Sequence, residues 1–185
     1  MDDQKKLEKA FNRMKKKTFL TLSQLGVSID ELERDFEICL VPVGNINALK
    51  DFIWGQFNKH LARHPTDFQK QHSIYKSMAH FNYDYSDGKR VLELKKLAMH
   101  AYKMSNESAL KNEYMLAIII GSHTSCPVCR AEESRTMEVN DCFYNYILPH
   151  ENCTCEGFGC CCEIGFIRNS KNIPYDNIEL TDDDD

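Results

Sequence analysis

The chain has 185 residues, of which 42% are hydrophobic, and its formal net charge at pH 7 is −5. A chain of this length can bury one ordinary core, or one core together with a small lobe held by metal. Its first twenty residues lack the apolar run and small-residue cleavage site of a secretory signal, and its longest apolar run, Met115–Ile120, is too short to span a bilayer. These features predict a cytoplasmic protein with no membrane span.

Residues 4–25 carry apolar side chains at nearly helical spacing with lysines between them, which predicts an amphipathic helix ended by Gly26. We interpret the lysines as a solvated face rather than as a surface for membranes or nucleic acid. The segment from Ser28 to Glu31 has the form of a capping box and begins a short second helix through about Cys39. Because its neighbours are hydrophobic, Cys39 is interpreted as a buried core residue.

A third helix is predicted after Gly44, with Asn45 or Asn47 as its N-cap. His60 and His64 lie four residues apart on this helix, a spacing that can hold a metal. No glutamate lies between them as in the helical motif of zinc proteases, so we interpret them as a surface pair.

Residues 64–66 interrupt the helical pattern, and a fourth helix is predicted from there to about Phe81. Residues 83–88 have the composition of a turn, and a fifth helical pattern runs from about 89 to 104. Met115–Ile120 is either the end of a helix or a strand, since its three consecutive isoleucines favour β structure.

Cysteines are concentrated in the last third of the chain, which holds eight of the nine. Without an export signal, such clustering indicates metal binding rather than a disulfide framework. From residue 126 onward the formal charge is −9, whereas the preceding part carries +4. Because basic groups supply most of the affinity for a phosphate backbone, the acidic part argues against a nucleic-acid partner.

Cys126 and Cys129 form a Cys-x2-Cys pair, which places two sulfurs close enough to share one ion. Tetrahedral zinc needs two further ligands, and the downstream residues that qualify by type are His150, Cys153, Cys155, Cys160 and Cys162. Our preferred set is Cys126, Cys129, Cys153 and Cys160, with His150 as the first substitute. The segment between Gly157 and Gly159 has the composition of a tight turn that carries ligands.

The metal is expected to be structural zinc, because thiolate-rich ligand sets are usually closed while catalytic zinc keeps an open position. The zinc-deaminase signature is absent from the sequence, since Pro127 lies inside the Cys-x2-Cys pair. An iron–sulfur cluster is the alternative, because sets of four cysteines bind those too. The donors exceed the needs of one ion, which leaves a second ion open, but we favour one.

The order of these motifs, Cys-x2-Cys followed by Leu148-Pro-His-x2-Cys-x-Cys155, resembles the C-terminal motif of phage head-morphogenesis proteins of the Mu F type. In that family a Cys-x2-Cys pair leads to a Pro-Pro-x-His-Pro-x-Cys-Arg-Cys element. The residues that match motif positions are Cys126, Cys129, His150, Cys153 and Cys155. The resemblance covers about thirty of the 185 residues. The chain departs from the motif at Ile147, Leu148, Glu151 and Thr154 and has an additional triplet at 160–162.

The resemblance implies a phage-encoded or prophage-like protein that acts in assembly, in the host cytoplasm or the virion. The main alternative is a thiol–disulfide oxidoreductase, because residues 117–130 resemble the strand, loop and Cys-Pro-x-Cys helix start of glutaredoxins. Residues 173–175 would then imitate the cis-proline that faces such a motif. The helical character of the sequence before 115 and six unexplained cysteines count against this interpretation. A nucleic-acid-binding zinc module anchored by the basic N-terminal helix is the second alternative.

Together these features predict a mainly α protein with an N-terminal domain of four or five helices over residues 1–115. A small zinc-stapled, cysteine-rich module is expected over residues 116–175, and an acidic disordered tail over 176–185. We expect no catalytic residues and no cofactor other than structural zinc, and a protein as the partner. The module is too small to build a hydrophobic core, so the metal is expected to replace one.

Overall fold

The computed structural model describes residues 2–107, 115–122, 125–150 and 152–168. The chain forms two compact units, a helical unit (Met1–Ser105) and a cysteine-rich unit (Asn106–Asp185). The sequence predicted the boundary between them near residue 115, whereas the structure places it after Ser105. A mainly α fold with a small Cys/His-rich C-terminal region is confirmed. The acidic tail predicted for 176–185 lies outside the described residues.

Five long helices make up the helical unit: α1 (Asp2–Gln24), α2 (Ile29–Ile38), α3 (Ile46–Arg63), α4 (Phe68–Tyr85) and α5 (Val91–Ser105). Helix α1 packs against α2 and α3, α3 packs against α4, and α4 packs along α5. The predicted helices are all present, although α4 continues past Phe81 into the segment predicted as a turn. No helix within the described ranges is both long enough and apolar enough to cross a membrane.

The boundary between α1 and α2 lies where the sequence predicts it, but the predicted capping box does not form. Gly26 ends α1 with a left-handed φ of 95°, which glycine adopts without strain. Ser28 occupies the N-cap position of α2 without a side-chain hydrogen bond. Glu31 instead accepts hydrogen bonds from Lys59 at 2.9 Å and from Arg63 at 2.6 Å. These two cations, Arg63 most strongly, lower the pKa of the Glu31 carboxyl to about 2.

Aromatic side chains from three helices form the centre of the core between α1, α2 and α3. The rings of the cluster lie 5.4–6.2 Å apart between centroids and belong to Phe11, Phe19, Phe36 and Phe52. Tilted and edge-on contacts at these separations are favourable beyond the burial of area alone. In total, nineteen hydrophobic side chains of the helical unit are buried, so its described part has an ordinary core.

The interpretation of Cys39 as a core residue is wrong, because its side chain is exposed. Helical spacing would place it on the same face as the buried Leu32, seven residues earlier. Helix α2 ends at Ile38, however, and Leu40 adopts a φ of 48°, so the chain leaves the helical path at this point. Ile38 and Leu40 are consequently 70% and 83% exposed.

The interpretation of His60 and His64 as a surface pair is wrong for His60, which is only 4% exposed. Its Nε2 lies 2.9 Å from the carbonyl oxygen of Leu25 and therefore donates a hydrogen bond. Its Nδ1 is buried without a hydrogen-bond partner among the described residues. Burial lowers the pKa of His60 below 6.5, and the positive charges of Lys70 and Arg63 act in the same direction.

The cysteine-rich unit contains a three-stranded antiparallel sheet in the order β2-β1-β3. Its strands are β1 (Met115–Ile120), β2 (Thr136–Glu138) and β3 (Glu163–Arg168), and its short helices are α6 (Pro127–Glu132) and α7 (Val139–Tyr144). The isoleucine run is thus a strand rather than a helix end, and it is central. Ala117 and Ile119 are buried on one face of β1, as the period of two in a strand requires.

The cysteine-rich unit buries few hydrocarbon side chains. Among its described residues, the buried hydrocarbon side chains are those of Ala117, Ile119, Val139, Leu148, Pro149 and Ile164. Five buried cysteines accompany them: Cys126, Cys129, Cys142, Cys160 and Cys162. Sulfur therefore occupies nearly as many buried positions as hydrocarbon does in the described part of this unit.

Replacing Asn45 with alanine should destabilise the helical unit by about 1 kcal/mol, because the first turn of α3 loses its cap. The Oδ1 of Asn45 accepts a hydrogen bond of 3.0 Å from the N–H of Ala48. Asn47→Ala is the matched control, since Asn47 is exposed within the same turn. Denaturant unfolding followed by the fluorescence of Trp54, the single tryptophan of the chain, measures both effects. Equal losses in the two variants would contradict the assignment of the cap.

Lowering the pH from 7 to 5 should destabilise the helical unit through His60. The pKa of His60 is lower in the folded state than in the unfolded state, where it is about 6.5. The unfolded state therefore binds the proton more readily, and the folded protein becomes less stable as the pH falls below that value. The free energy of unfolding should therefore decrease more steeply in the wild type than in His60→Gln, whose amide can still donate to Leu25. His64→Gln is the control and should keep the wild-type slope. Identical slopes for wild type and His60→Gln would rule out this cause.

Candidate metal centre

Cys126 and Cys129 are held in position by the start of α6. Cys126 is the N-cap residue, and Pro127 follows at a position where its missing N–H does not break a helical hydrogen bond. Residues three apart at a helix start lie on the same side of the helix. Cys126 is 8% exposed and Cys129 is fully buried, so this side faces the interior of the cysteine-rich unit.

The remaining cysteine ligand candidates come as two Cys-x-Cys pairs, made of Cys153, Cys155, Cys160 and Cys162. Burial alternates along both segments, as it does in extended chain, so each pair presents two sulfurs to one side. Cys161 consequently points away and is exposed. Between the pairs, Gly157 and Gly159 have φ values of 64° and 79°, which confirms the predicted glycine turn.

Four sulfurs make up the first donor group, which consists of Cys126, Cys129, Cys153 and Cys155. All four Sγ atoms lie within 4.8 Å of one another. The Sγ of Cys153 lies 3.5 Å from that of Cys129 and 3.9 Å from that of Cys126. The Sγ of Cys155 is 3.8 Å from that of Cys129. The first group therefore unites the start of α6 with the first Cys-x-Cys pair.

Three sulfurs and one imidazole make up the second donor group, which consists of Cys129, His150, Cys160 and Cys162. These donor atoms also lie within 4.8 Å of one another. The Nδ1 of His150 is 3.4 Å from the Sγ of Cys129 and 3.8 Å from that of Cys160. The sulfurs of Cys129 and Cys160 are 3.6 Å apart. Cys129 is thus a member of both groups.

These separations are those of tetrahedral metal ligands. Sulfurs at about 2.3 Å from a tetrahedral zinc lie roughly 3.8 Å apart, and a sulfur and an imidazole nitrogen roughly 3.6 Å apart. The distances of 3.4–3.9 Å within the two groups bracket both values. A disulfide needs sulfurs at about 2.05 Å, and all nine cysteines are free. Both groups are therefore positioned to bind a metal ion.

Burial and backbone N–H groups act in opposite directions on the thiols. The N–H of Cys129 is the main cause of a pKa of about 5 at Cys126, and the N–H of Thr154 adds to it at 3.4 Å. Burial raises the pKa of Cys153 to about 11 and that of Cys162 to about 12, and it raises the pKa of Cys129 as well. A divalent cation would displace these protons and stabilise the thiolates.

A chain of hydrogen bonds orients the imidazole of His150. Its Nε2 lies 2.7 Å from the hydroxyl of Tyr146, which donates at 3.1 Å to Glu132. Arg135 holds the same carboxylate oxygen at 2.7 Å. Because a carboxylate only accepts, Nε2 must donate to the tyrosine oxygen, and the neutral imidazole then carries a lone pair on Nδ1. That lone pair is the one that faces Cys129, which is the usual arrangement of a metal-binding histidine.

Each predicted ligand lies in one of the two donor groups. The first group contains Cys126, Cys129 and Cys153, and the second contains Cys129, His150 and Cys160. The preferred set of four is thereby divided, because Cys160 lies with His150 rather than with Cys126. The residues that complete the groups, Cys155 and Cys162, were open candidates in the sequence. The Cys-x-Cys spacing is the signal that points to them.

Two further cysteines near the groups take no part in them. Cys142 is buried in α7 and Cys161 is exposed, and neither belongs to a donor group. His123, the other histidine of this unit, lies outside the described residues.

No protein-family model, no curated protein and no solved structure matches the chain. The fold and the site therefore define its class: a mainly helical protein with a Cys/His-rich C-terminal unit whose donors are positioned to bind metal. The resemblance to phage head-morphogenesis proteins stays a prediction.

Replacing Tyr146 with phenylalanine should weaken metal binding by about 10- to 100-fold, because His150 loses the partner that orients its ring. Tyr144→Phe is the matched control, since Tyr144 is 76% exposed and lies two residues away. Competition with a chromogenic chelator measures the affinity of each variant. Wild-type affinity in Tyr146→Phe would contradict the orienting role.

Proposed function

We propose that the chain is a non-enzymatic interaction or assembly protein whose cysteine-rich unit is folded around structural zinc. The observation that carries the proposal is the closed donor set, in which each group supplies four protein donors within 4.8 Å of one another. Thiolate and imidazole donors favour zinc over magnesium or calcium, which prefer oxygen. Catalytic zinc usually keeps one position for water or substrate, and a group of four protein ligands leaves none.

The thin hydrocarbon core of the cysteine-rich unit supports a folding role for the metal. The six buried hydrocarbon side chains in its described part are few for a stable unit, whereas a structural zinc contributes about 10–16 kcal/mol in small zinc-finger peptides. Binding free energy of this kind becomes folding free energy, because the unfolded chain has no preformed site.

The end of α2 and the loop that follows it support the interaction half of the proposal. Ile38, Leu40 and Val43 in this segment are 70%, 83% and 67% exposed. Large apolar side chains that are exposed together mark surfaces for protein partners more often than isolated ones do. We therefore assign the partner to the protein class rather than to nucleic acid.

An assembly role is the function that the resemblance to phage head-morphogenesis proteins implies. Its support is that all the matching residues belong to the donor groups; they are Cys126, Cys129, His150, Cys153 and Cys155. The chain's own Cys160 and Cys162 extend the metal centre beyond that motif.

The oxidoreductase alternative has weaker support. Strand β1, which precedes the Cys-x2-Cys pair, has antiparallel neighbours on both sides. A glutaredoxin-like frame would need a parallel strand–helix–strand unit around the pair. The low pKa of Cys126 would suit a nucleophile, but its side chain is only 8% exposed and its partner Cys129 is fully buried among other donors. Residues 173–175, which would supply the facing proline, lie outside the described residues.

Replacing Cys126 with serine should lower the zinc content and unfold the cysteine-rich unit while the helices of the first unit remain. Cys161→Ser is the matched control, since that cysteine is exposed and lies outside both groups. Elemental analysis, limited proteolysis and far-UV circular dichroism of reduced protein measure the three expectations. The proposal fails if native reduced protein contains no metal, or if Cys126→Ser keeps the protease resistance of the wild type. A visible charge-transfer spectrum with bound iron would favour the iron–sulfur alternative instead.

A further inference from the structure

We infer that the cysteine-rich unit holds two metal ions joined by a single bridging sulfur, that of Cys129. This rests on the proposed function, because it specifies how the structural metal site is built. The first donor group would hold one ion with four thiolates, and the second would hold the other with three thiolates and one imidazole. The two sites would share the sulfur of Cys129 as a ligand.

The shared membership of Cys129 carries the inference. Its Sγ lies 3.5 and 3.8 Å from Cys153 and Cys155 in the first group, and 3.4 and 3.6 Å from His150 and Cys160 in the second. These separations are all those of ligands on a common ion. Cys129 is the one residue common to both groups, and its side chain is fully buried.

The number of donors fits two ions and does not fit one. Two tetrahedral ions that share one ligand need seven donors, whereas a single tetrahedral ion needs four. The two groups together supply seven: Cys126, Cys129, His150, Cys153, Cys155, Cys160 and Cys162. With two ions every donor is used, and none is left over.

A single ion would leave three of these donors buried or half-buried without a metal. If it occupied the first group, Cys160 and Cys162 would remain at 7% and 6% exposure beside His150. The hydrogen bonds through Tyr146 and Glu132 would still aim the lone pair of His150 at a position without an ion. The hydrogen bonds of sulfur are weak, so bonds from these donors to a second ion would stabilise the unit more than the contacts among the donors do.

Three of the cysteines that would bind one ion each accept a backbone hydrogen bond at their sulfur. The Sγ of Cys126 accepts from the N–H of Thr154 at 3.4 Å, that of Cys155 from Cys126 at 3.2 Å, and that of Cys153 from Cys155 at 3.3 Å. Such bonds neutralise part of the charge of a thiolate that binds one ion. The Sγ of Cys129 is instead surrounded by donors of both groups, and a thiolate sulfur has lone pairs enough for two ions.

Charge balance agrees with two ions. Six thiolates with two divalent cations carry a net charge of −2, the same as four thiolates with one cation, so the second ion adds no uncompensated charge. Each Zn²⁺ binds by displacing protons from thiols, so zinc–sulfur bonds replace sulfur–hydrogen bonds and no oxidant or reductant takes part.

The test is a titration of reduced full-length protein with ¹¹³Cd²⁺ followed by ¹¹³Cd NMR, together with the zinc content of the native protein. We expect two equivalents of zinc and two ¹¹³Cd resonances, with the ion of the all-sulfur group further downfield than the ion bound by His150. Because the ions share a sulfur, the two resonances should show scalar coupling to each other. The coupling reports the bridge itself, which metal content alone does not.

Variants separate the bridge from the terminal ligands. Cys162→Ser should lose the resonance of the histidine-containing site and abolish the coupling, with at least a halving of bound metal. Cys129→Ser should lose both high-affinity ions, and Cys161→Ser should keep two equivalents and the coupling. If Cys162→Ser fails to fold, the coupling in the wild type still decides the question.

The outcomes distinguish this inference from the proposed function. One equivalent of metal with a single resonance would overturn the two-ion centre and leave the structural zinc site standing. Two equivalents without scalar coupling would overturn the shared sulfur. Native protein with no bound metal would overturn both proposals.

Discussion

The cysteine-rich unit depends on the convergence of three chain segments on the sulfur of Cys129. The start of α6 supplies this residue, and two later segments bring four donors to within 3.4–3.8 Å of it: His150, Cys153, Cys155 and Cys160. Those segments bury little hydrocarbon of their own, so hydrophobic packing contributes little to holding them together. A bound ion would contribute more, because an ion held by donors from two segments constrains both at once.

The helical unit is stabilised in a different way. Its aromatic cluster and long amphipathic helices bury enough apolar surface to need no metal. Salt bridges then link α2 to α3. Lys59 pairs with Glu31 and Asp35, and Arg63 pairs with Glu31. Loss of metal should therefore affect the two units unequally, which is why a structural role for the metal can be separated from global stability.

Much of the fold could be predicted from sequence, since each helix has its own periodicity and end signals. Gly26 and Asn45 act locally, and they stand where the predicted boundaries require them. Two of the errors arose where tertiary contacts overruled local chemistry. Glu31 pairs with Lys59 and Arg63 rather than completing a capping box, and His60 is buried because α3 packs its ring against the carbonyl of Leu25.

For the metal centre, the sequence by itself determined the donor chemistry. Clustered cysteines in Cys-x2-Cys and Cys-x-Cys spacings present paired sulfurs to one side of a helix start or an extended segment, and this follows from local backbone geometry alone. Only the tertiary structure decided how the pairs combine, placing Cys160 with His150 and making Cys129 common to both groups. The reason is that the path of the loops between the pairs, which sets their distances, is fixed by contacts remote in sequence.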